Sequence, residues 1–284
     1  MSNDNSRYVI LGKDDAERRR LNDGYPYFKK YVRKNKVIYD DTVSLPDDAV
    51  VLDLATGSGA WILDLASLVP STVIIHGIDI SPAFFPYIQS PNNNNIHLHS
   101  QSCTSLPPTW SSQFDLINQN LVRGALTQHD WNLEFHELFR VLKPGGHLQL
   151  CEGDCTNWDQ EIRPGSAHEK MRDLYKALLD KNSLVWDCSK RLPEMLTNIG
   201  FVNVYTELRK YPLNADDGDG GGSIGSDVIS RFLRSLKPAI MKNEGFGIVG
   251  SGEVYEGLIE ELKKEWNEGT LFFDFVLICA QKPL

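Results

Sequence analysis

Short apolar runs recur along the chain, separated by stretches whose apolar residues return at helical spacing. Ala49–Leu54 (AVVLDL) is too short for a helix and apolar on both faces, the mark of a strand buried in a parallel sheet. It breaks at Ala55-Thr56-Gly57-Ser58-Gly59, after which Ala60–Val69 shows helical periodicity. Thr72–Ile80 (TVIIHGIDI) predicts a second strand, Asn95–His99 a third and Phe114–Asn118 a fourth, followed by a helix over Trp131–Leu142. Lys143-Pro144-Gly145-Gly146 has turn chemistry, and His147–Cys151 predicts a fifth strand. Strands alternating with helices predict a doubly wound α/β sheet, which binds ligands beyond the carboxyl ends of its strands.

The two ends of the chain read differently. Lys13–Asn22 and Tyr25–Tyr39 predict two helices, and Ser44–Asp48 punctuates after them, so residues 1–45 read as a helical lid ahead of a main domain over 46–284. Beyond the fifth strand, Ala167–Lys181 and Lys190–Ile199 predict helices and Gly200–Leu208 a strand. Asn214–Ser226 (NADDGDGGGSIGS) reads as a mobile connection, then come two more helical stretches and a final apolar strand, Leu271–Ala280. Helical cap insertions are therefore expected within about 155–190 and 214–268. The Glu256–Trp266 stretch, with Glu260, Glu261, Lys263 and Lys264, reads as a salt-laced solvent face.

Composition narrows the class. Of 284 residues, 41% are hydrophobic and 24% charged, too much apolar side chain for a disordered chain. No apolar run approaches the ~20 residues a spanning helix needs, and Met1–Ser6 is polar, unlike a secretory signal. The expectation is a cytoplasmic protein with no membrane partner. Lys and Arg number 29 against 38 Asp and Glu, a net charge of −9 that disfavours nucleic acid. Five scattered cysteines form no disulfide framework. Two metal readings fail on spacing. Counting twelve residues from Asp217 puts Val228 where a calcium loop needs a bidentate Glu. His97, His99, Cys151 and Cys155 lack zinc spacing, so no metal is expected.

The strand–turn–helix at Val50–Ala60 carries the strongest chemistry. Gly57 and Gly59 allow a tight turn and a close backbone approach to a ligand. A phosphate loop fails because no Gly-Lys-Ser/Thr follows. A dinucleotide fingerprint fails at Ile62, and a serine-hydrolase elbow around Ser58 fails at Thr56 and Ala60. What survives is Asp53-x-Ala55-x-Gly57-x-Gly59, with Asp79 at the end of the next strand. Asp79 can accept both hydroxyls of a ribose, and Asp53 can answer an ammonium group. A ligand with a ribose, a cationic amine and no phosphate fits the pair, which describes S-adenosylmethionine.

Together these segments resemble the class I S-adenosylmethionine-dependent methyltransferases, and among them the fungal branch associated with secondary metabolism. The resemblance runs over nearly the whole chain: Tyr8 and Asp14–Arg18, Val51–Gly59, His76–Pro82, Phe114–Ile117, Asp130-Trp131, Arg140–Gly146 and Ala280–Pro283. It implies a Rossmann-like seven-stranded sheet whose last strand is antiparallel. It also implies that Asp53 and Gly57 flank the methionine part of the cofactor, that Ala55, Thr56 and Gly59 are cofactor-binding too, and that Asp79 takes the ribose. Ile80 would lie on the adenine face, Ser102 and Cys103 at the adenine edge, and Asn118, Gln119 and Asn120 toward the sulfonium and acceptor. Ser102 stands where the family often has a carboxylate, and Ala55 replaces a usual glycine, a change tolerable at negative φ. The family's Gln-His after Leu21 is here Asn22-Asp23.

Transfer of a methyl group to an O or N atom of a small organic acceptor is the implied activity. If that acceptor must lose a proton, His129, Glu152, Asp154 and Tyr25 are the candidate bases. Trp158 and Phe232 are expected to cap the acceptor cavity. A regulator built on the same fold, or an enzyme in which the sulfonium only assists a rearrangement, are the alternatives. Oligomeric state is not legible in the sequence.

Overall fold

β1 (Val50–Leu54) is an interior strand of a sheet that, among the described residues, has seven strands in the order β3-β2-β1-β4-β5-β7-β6. The computed structural model describes residues 15–86, 94–156, 158, 162–214, 224–268 and 272–284. The other strands are β2 (Ile74–Asp79), β3 (Ile96–Ser100), β4 (Phe114–Asn120), β5 (Leu142–Asp154), β6 (Val202–Pro212) and β7 (Phe272–Gln281). β1 to β5 run parallel, and β7 lies antiparallel between β5 and β6. This is the Rossmann-like arrangement expected, with the reversal of strand order at β1. That reversal opens a crevice beyond the carboxyl ends of β1 and β4, the place where open α/β sheets bind ligands.

Side chains alternate across each strand, so β1 serves two layers. Val51 packs with Trp61, Ile62 and Leu65 of α2 (Ala60–Ala66). Leu52 and Leu54 face the layer of α3 (Gln128–Val141) and α5 (Cys188–Ile199). A third apolar cluster joins α1 (Asp15–Tyr31), α4 (Ala167–Lys181), α6 (Ile224–Ser235), α7 (Lys237–Lys242) and α8 (Gly252–Glu268) to the ends of β5 and β7. Burial of a Leu or Phe in such a cluster contributes about 1.5–3 kcal/mol, which holds the helical caps over the sheet. No helix among the described residues is long and apolar enough to cross a membrane.

Three expectations are corrected. The N-terminal part holds one helix, not two: α1 runs through Asn22–Tyr25 with Pro26 inside it and stops at Tyr31. Tertiary anchors outweigh the lost proline N–H, because Tyr25 and Lys29 bind Asp64 of α2 and Phe28 packs on Phe275 of β7. Lys34 and Asn35, both at positive φ, then turn the chain onto the sheet instead of continuing to Tyr39 as helix. Second, Lys143–Gly146 does not precede β5 but lies within it. It forms a bulge between the pairs Phe114–Leu142 and Leu116–His147, with Gly145 at φ +77°. Third, α6 already starts at Ile224, so the expected loop ends earlier than Ser226. Residues 215–223 of that loop, including Asp217, and residues 13, 14 and 271 lie outside the described residues.

Candidate functional site

A cavity of about 300 Å³ opens beyond the carboxyl ends of β1, β2 and β4, roofed by α1 and α6. Its floor is set by strand register. Asp53 of β1 pairs with Asn118 of β4, which pairs with Gln149 of β5, so the three polar side chains form one row across the sheet. The Asn118 amide nitrogen donates to Asp53 Oδ1 (2.6 Å). The Asn118 carbonyl oxygen accepts from Gln149 Nε2 (2.7 Å) and from Arg33 Nη2 (3.0 Å). With its oxygen doubly engaged, Asn118 can present only its NH₂ to Asp53. Arg33 is almost wholly buried and stacks over Tyr39 and Trp61. Its Nε and Nη1 have no hydrogen-bond partner among the described residues. Burial pushes the Asp53 carboxyl up to about 7, against the hydrogen bond from Asn118 and the attraction of Arg33.

The glycine turn aims the second carboxylate. The Thr56 N–H donates to Ile78 O (2.8 Å), lashing the turn to β2. Asp79 Oδ2 accepts from the Gly57 N–H (2.9 Å) and Oδ1 from the Ser81 N–H (2.8 Å), which fixes the direction of the carboxylate at the cavity wall. Gly57 takes φ +51°, and a Cβ there would press on Leu21 of α1, so glycine lets α1 pack closely on the turn.

Several candidates line this cavity: Asp53, Ala55, Thr56, Gly57, Asp79, Ile80, Ser102, Cys103, Asn120, Tyr25 and Glu152. Ile80 is half-exposed at the end of β2, a flat apolar ledge. The Ser102 hydroxyl is engaged with Thr104 (2.9 Å). Asn120 Oδ1 is buried without a hydrogen-bond partner among the described residues. Others fall elsewhere. Gly59 is the N-cap of α2 at φ +73°, packed so closely on Pro86 that a Cβ would clash; it shapes the turn from behind. Gln119 points to the opposite face of β4, where it donates to Glu134 (3.3 Å). His129 is exposed on the first turn of α3 and does not line the cavity; Thr127 and Asp130 form the capping box there. Trp158 is buried against Phe273 and Trp186, behind the cavity wall, whereas Phe232 lines it. Ala55 takes φ +49°, so the alanine occupies a left-handed position, contrary to the expectation of negative φ.

The candidate bases separate on geometry. The Tyr25 hydroxyl donates to Asp64 (2.8 Å), and burial drives its pKa upward, so a phenolate is out of reach near neutrality. Asp154 accepts from Thr156 N (2.9 Å) and Ser189 N (2.6 Å), a clasp between β5 and α5. Glu152 accepts from Val122 N (2.8 Å) and Arg123 N (3.1 Å), and burial raises it to about 7. Of these candidate bases, Glu152 is the one that lines the cavity with its carboxyl raised to about 7.

Residues that sequence reasoning missed are Arg33, Gln149 and Glu134. The signal for Gln149 was present: a polar residue inside HLQLC, as Asp53 is inside VVLDL. Arg33 gave none, since nothing local distinguishes it from its basic neighbours. Glu134, buried on α3 and raised to about 8 by burial, looked like one more polar helix position. His76 joins His97 and His99 in a stacked group on the sheet edge, with His76 Nδ1 3.0 Å from His99 Nε2; burial lowers His76 to about 4. Among the described residues no His, Cys, Asp or Glu group has the arrangement to hold a metal ion.

The groups gathered at the cavity fit the chemistry of the expected cofactor: the Asp79 carboxylate held by two backbone amides, the buried Asp53 acid, the apolar ledge of Ile80, and the buried Asn120 Oδ1, which has no hydrogen-bond partner among the described residues. Residues 51–146 match the family model described as a methyltransferase domain. The chain is similar to the N-methyltransferase verN of Clonostachys rogersoniana, at 31% identity over 82% of this chain and 79% of that protein. It is also similar to the N-methyltransferase sirN of Leptosphaeria maculans, at 33% identity over 56% of this chain; the match spans about half of that protein, 54%. Among solved structures it is similar to Haemonchus contortus phosphoethanolamine N-methyltransferase 2 in complex with S-adenosyl-L-methionine, at 14% identity and a TM-score of 0.49, over 93% of this chain and 53% of that one. From the Asp53-to-Gly59 turn outward, then, the chain belongs to the class I S-adenosylmethionine-dependent methyltransferases, alongside these fungal N-methyltransferases.

Proposed function

We propose that this protein transfers a methyl group to a nitrogen or oxygen atom of a small organic acceptor held under the α1–α6 roof. The observation that carries the reading is the placement of Asp53 and Asp79 at the ends of adjacent parallel strands, on one cavity, with the Gly57 turn between them. The two relatives named N-methyltransferases favour nitrogen.

When bound, S-adenosylmethionine supplies a methyl group already activated on a sulfonium. The chain's task is then to position, to exclude water and, for a protic acceptor, to take a proton. Asp79 would hold the ribose hydroxyls, and Asp53, aimed by Asn118, the ammonium. Ile80 would support the adenine face, with Ser102 and Cys103 at its edge. Asn120 would face the sulfur. Tyr175, Tyr211, Phe232, Phe273 and Phe275 line the rest of the cavity, an aromatic wall suited to an apolar acceptor body. Glu152, raised to about 7, suits general base work if the acceptor must be deprotonated.

Two measurements test this. Calorimetry with S-adenosylhomocysteine should show binding to the wild type and none to Asp79→Ala. A tritiated-methyl assay on small-molecule extracts should put label into an extractable compound. Absent cofactor binding, or label confined to protein, would overturn the reading.

A further inference from the structure

Arg123 lies just beyond the end of β4, and its situation is unusual. The residue is buried, with only 5% of its surface exposed, yet it lines the cavity. Its guanidinium donates from Nη1 to Cys155 Sγ (3.1 Å) and from Nη2 to Tyr175 OH (2.7 Å), and it lies over the Tyr175 ring. Among the described residues no carboxylate comes within ion-pair distance of it. Glu152 binds the Arg123 backbone N–H, not the side chain.

A guanidinium carries five N–H donors, and a thiol is a weak acceptor. Burial drives the Cys155 thiol upward, so it offers sulfur and no negative charge. A buried cation with such partners is costly unless something else completes it. Space has been left for that something: a Cβ on Gly153 would come within 3.3 Å of Arg123 Nη2 and 3.2 Å of Phe273 Cε1, so the glycine after Glu152 keeps the cavity open toward the guanidinium. The surrounding wall is aromatic, from Tyr175, Phe232 and Phe273.

We propose that Arg123 selects the acceptor by donating hydrogen bonds to an sp² oxygen, a carbonyl or carboxylate, carried on an apolar or aromatic body. The assignment rests on the reading of this cavity as the acceptor site. It makes Arg123 a specificity-determining residue, distinct from the carboxylates that hold the cofactor.

The test uses full-length protein saturated with S-adenosylhomocysteine and three small probes: phenylacetate, phenylacetamide and ethylbenzene, whose binding is followed by saturation-transfer NMR and titration. The expected result is that the two oxygen-bearing probes bind at least tenfold more tightly than ethylbenzene, as a hydrogen bond to a charged group implies. Arg123→Met should remove that preference and Arg123→Lys retain part of it, with S-adenosylhomocysteine affinity unchanged within twofold. Tighter binding of phenylacetate than of phenylacetamide would make the recognised group an anion, the reverse a neutral carbonyl, and either supports the assignment. Equal binding of all three probes, no probe binding, or an unaltered preference in Arg123→Met would overturn it. The wild-type preference decides the matter even if the methionine variant does not fold. Failure of S-adenosylhomocysteine itself to bind would overturn the cofactor reading and take this assignment with it.

Discussion

The two ends of the cavity are built on different principles. At the end proposed for the cofactor, polar groups are placed by strand register: Asp53, Asn118 and Gln149 fall in one row because β1, β4 and β5 pair residue against residue. At the end proposed for the acceptor, the wall is aromatic and is contributed by α4, α6, β6 and β7, elements far apart in sequence. Strand pairing fixes the register of the floor's side chains, while a wall assembled from elements far apart in sequence can be re-lined one residue at a time. One fold can thus keep a single cofactor and still accept different substrates.

The sharpest way to break this comparison is at the two carboxylates, Asp53 in the register row and Asp79 at the end of β2. Asp79→Ala and Asp53→Asn should each weaken S-adenosylhomocysteine binding by about a hundredfold or more, as expected for loss of charged hydrogen bonds. Calorimetry on folded variants, checked by circular dichroism, decides it; a loss below about threefold would mean the floor does not hold the cofactor.

Next in size is pH. Asp53 must be ionised to answer an ammonium, and in the free protein it titrates at about 7. Affinity should therefore fall up to about tenfold per unit as pH drops below 7, and a flat profile from pH 8 to 6 would contradict this. Stability should move the other way. Asp53, Glu134 and Glu152 are all raised above their unfolded values, to about 7, 8 and 7. The folded state then binds more protons than the unfolded one between about pH 4 and 8. The ligand-free protein should lose stability as pH rises through that window, and urea unfolding at pH 5.5 and 8 reads it directly. S-adenosylhomocysteine should restore only the share owed to Asp53.

Arg33→Met sharpens the comparison further. Arg33 aims Asn118 but leaves Nε and Nη1 unpartnered in the interior. Removing its charge should weaken cofactor binding by about tenfold and move the pH midpoint for binding upward. Because a buried charge without full compensation contributes little net stability, the unfolding midpoint should change far less. A variant that loses stability and affinity in proportion would make Arg33 merely structural. At the other end, Phe232→Ala should raise KM for the labelled acceptor several-fold while the S-adenosylhomocysteine affinity stays within twofold, because the ring touches Tyr175 and the cavity but not the register row.

This contrast also explains what the sequence disclosed. The doubly wound order, the glycine turn and the Asp53–Asp79 pair were legible because each is local: a short apolar run, a turn composition, an acid at a strand end. Arg33 was hidden because its importance comes from tertiary placement, 85 positions from Asn118. His129 misled for the same reason. Its position in the chain lies near the site, but the capping box at Thr127 starts α3 there and directs it to solvent. The single α1 helix was missed because helix-breaking Pro26 is overruled by contacts to Asp64 and Phe275 that no local pattern records.

The smallest effect is the most particular to this chain. Ala55 takes φ +49° at the start of the glycine turn, where the family pattern has glycine. A left-handed conformation costs an L-residue about 1–2 kcal/mol, from crowding of Cβ against the backbone. Glycine escapes that cost but loses more chain entropy on folding, which takes back roughly 0.5–1 kcal/mol. Ala55→Gly should therefore stabilise the protein by about 0.5–1 kcal/mol in urea unfolding, with cofactor affinity little changed, because Asp79 and not residue 55 receives the Gly57 amide. The opposite result, a less stable protein, would show that the alanine methyl's packing against its apolar neighbours outweighs the strain. The turn at the cofactor end would then depend on side-chain packing as much as on backbone geometry, and the division between the two ends of the cavity would be less clean.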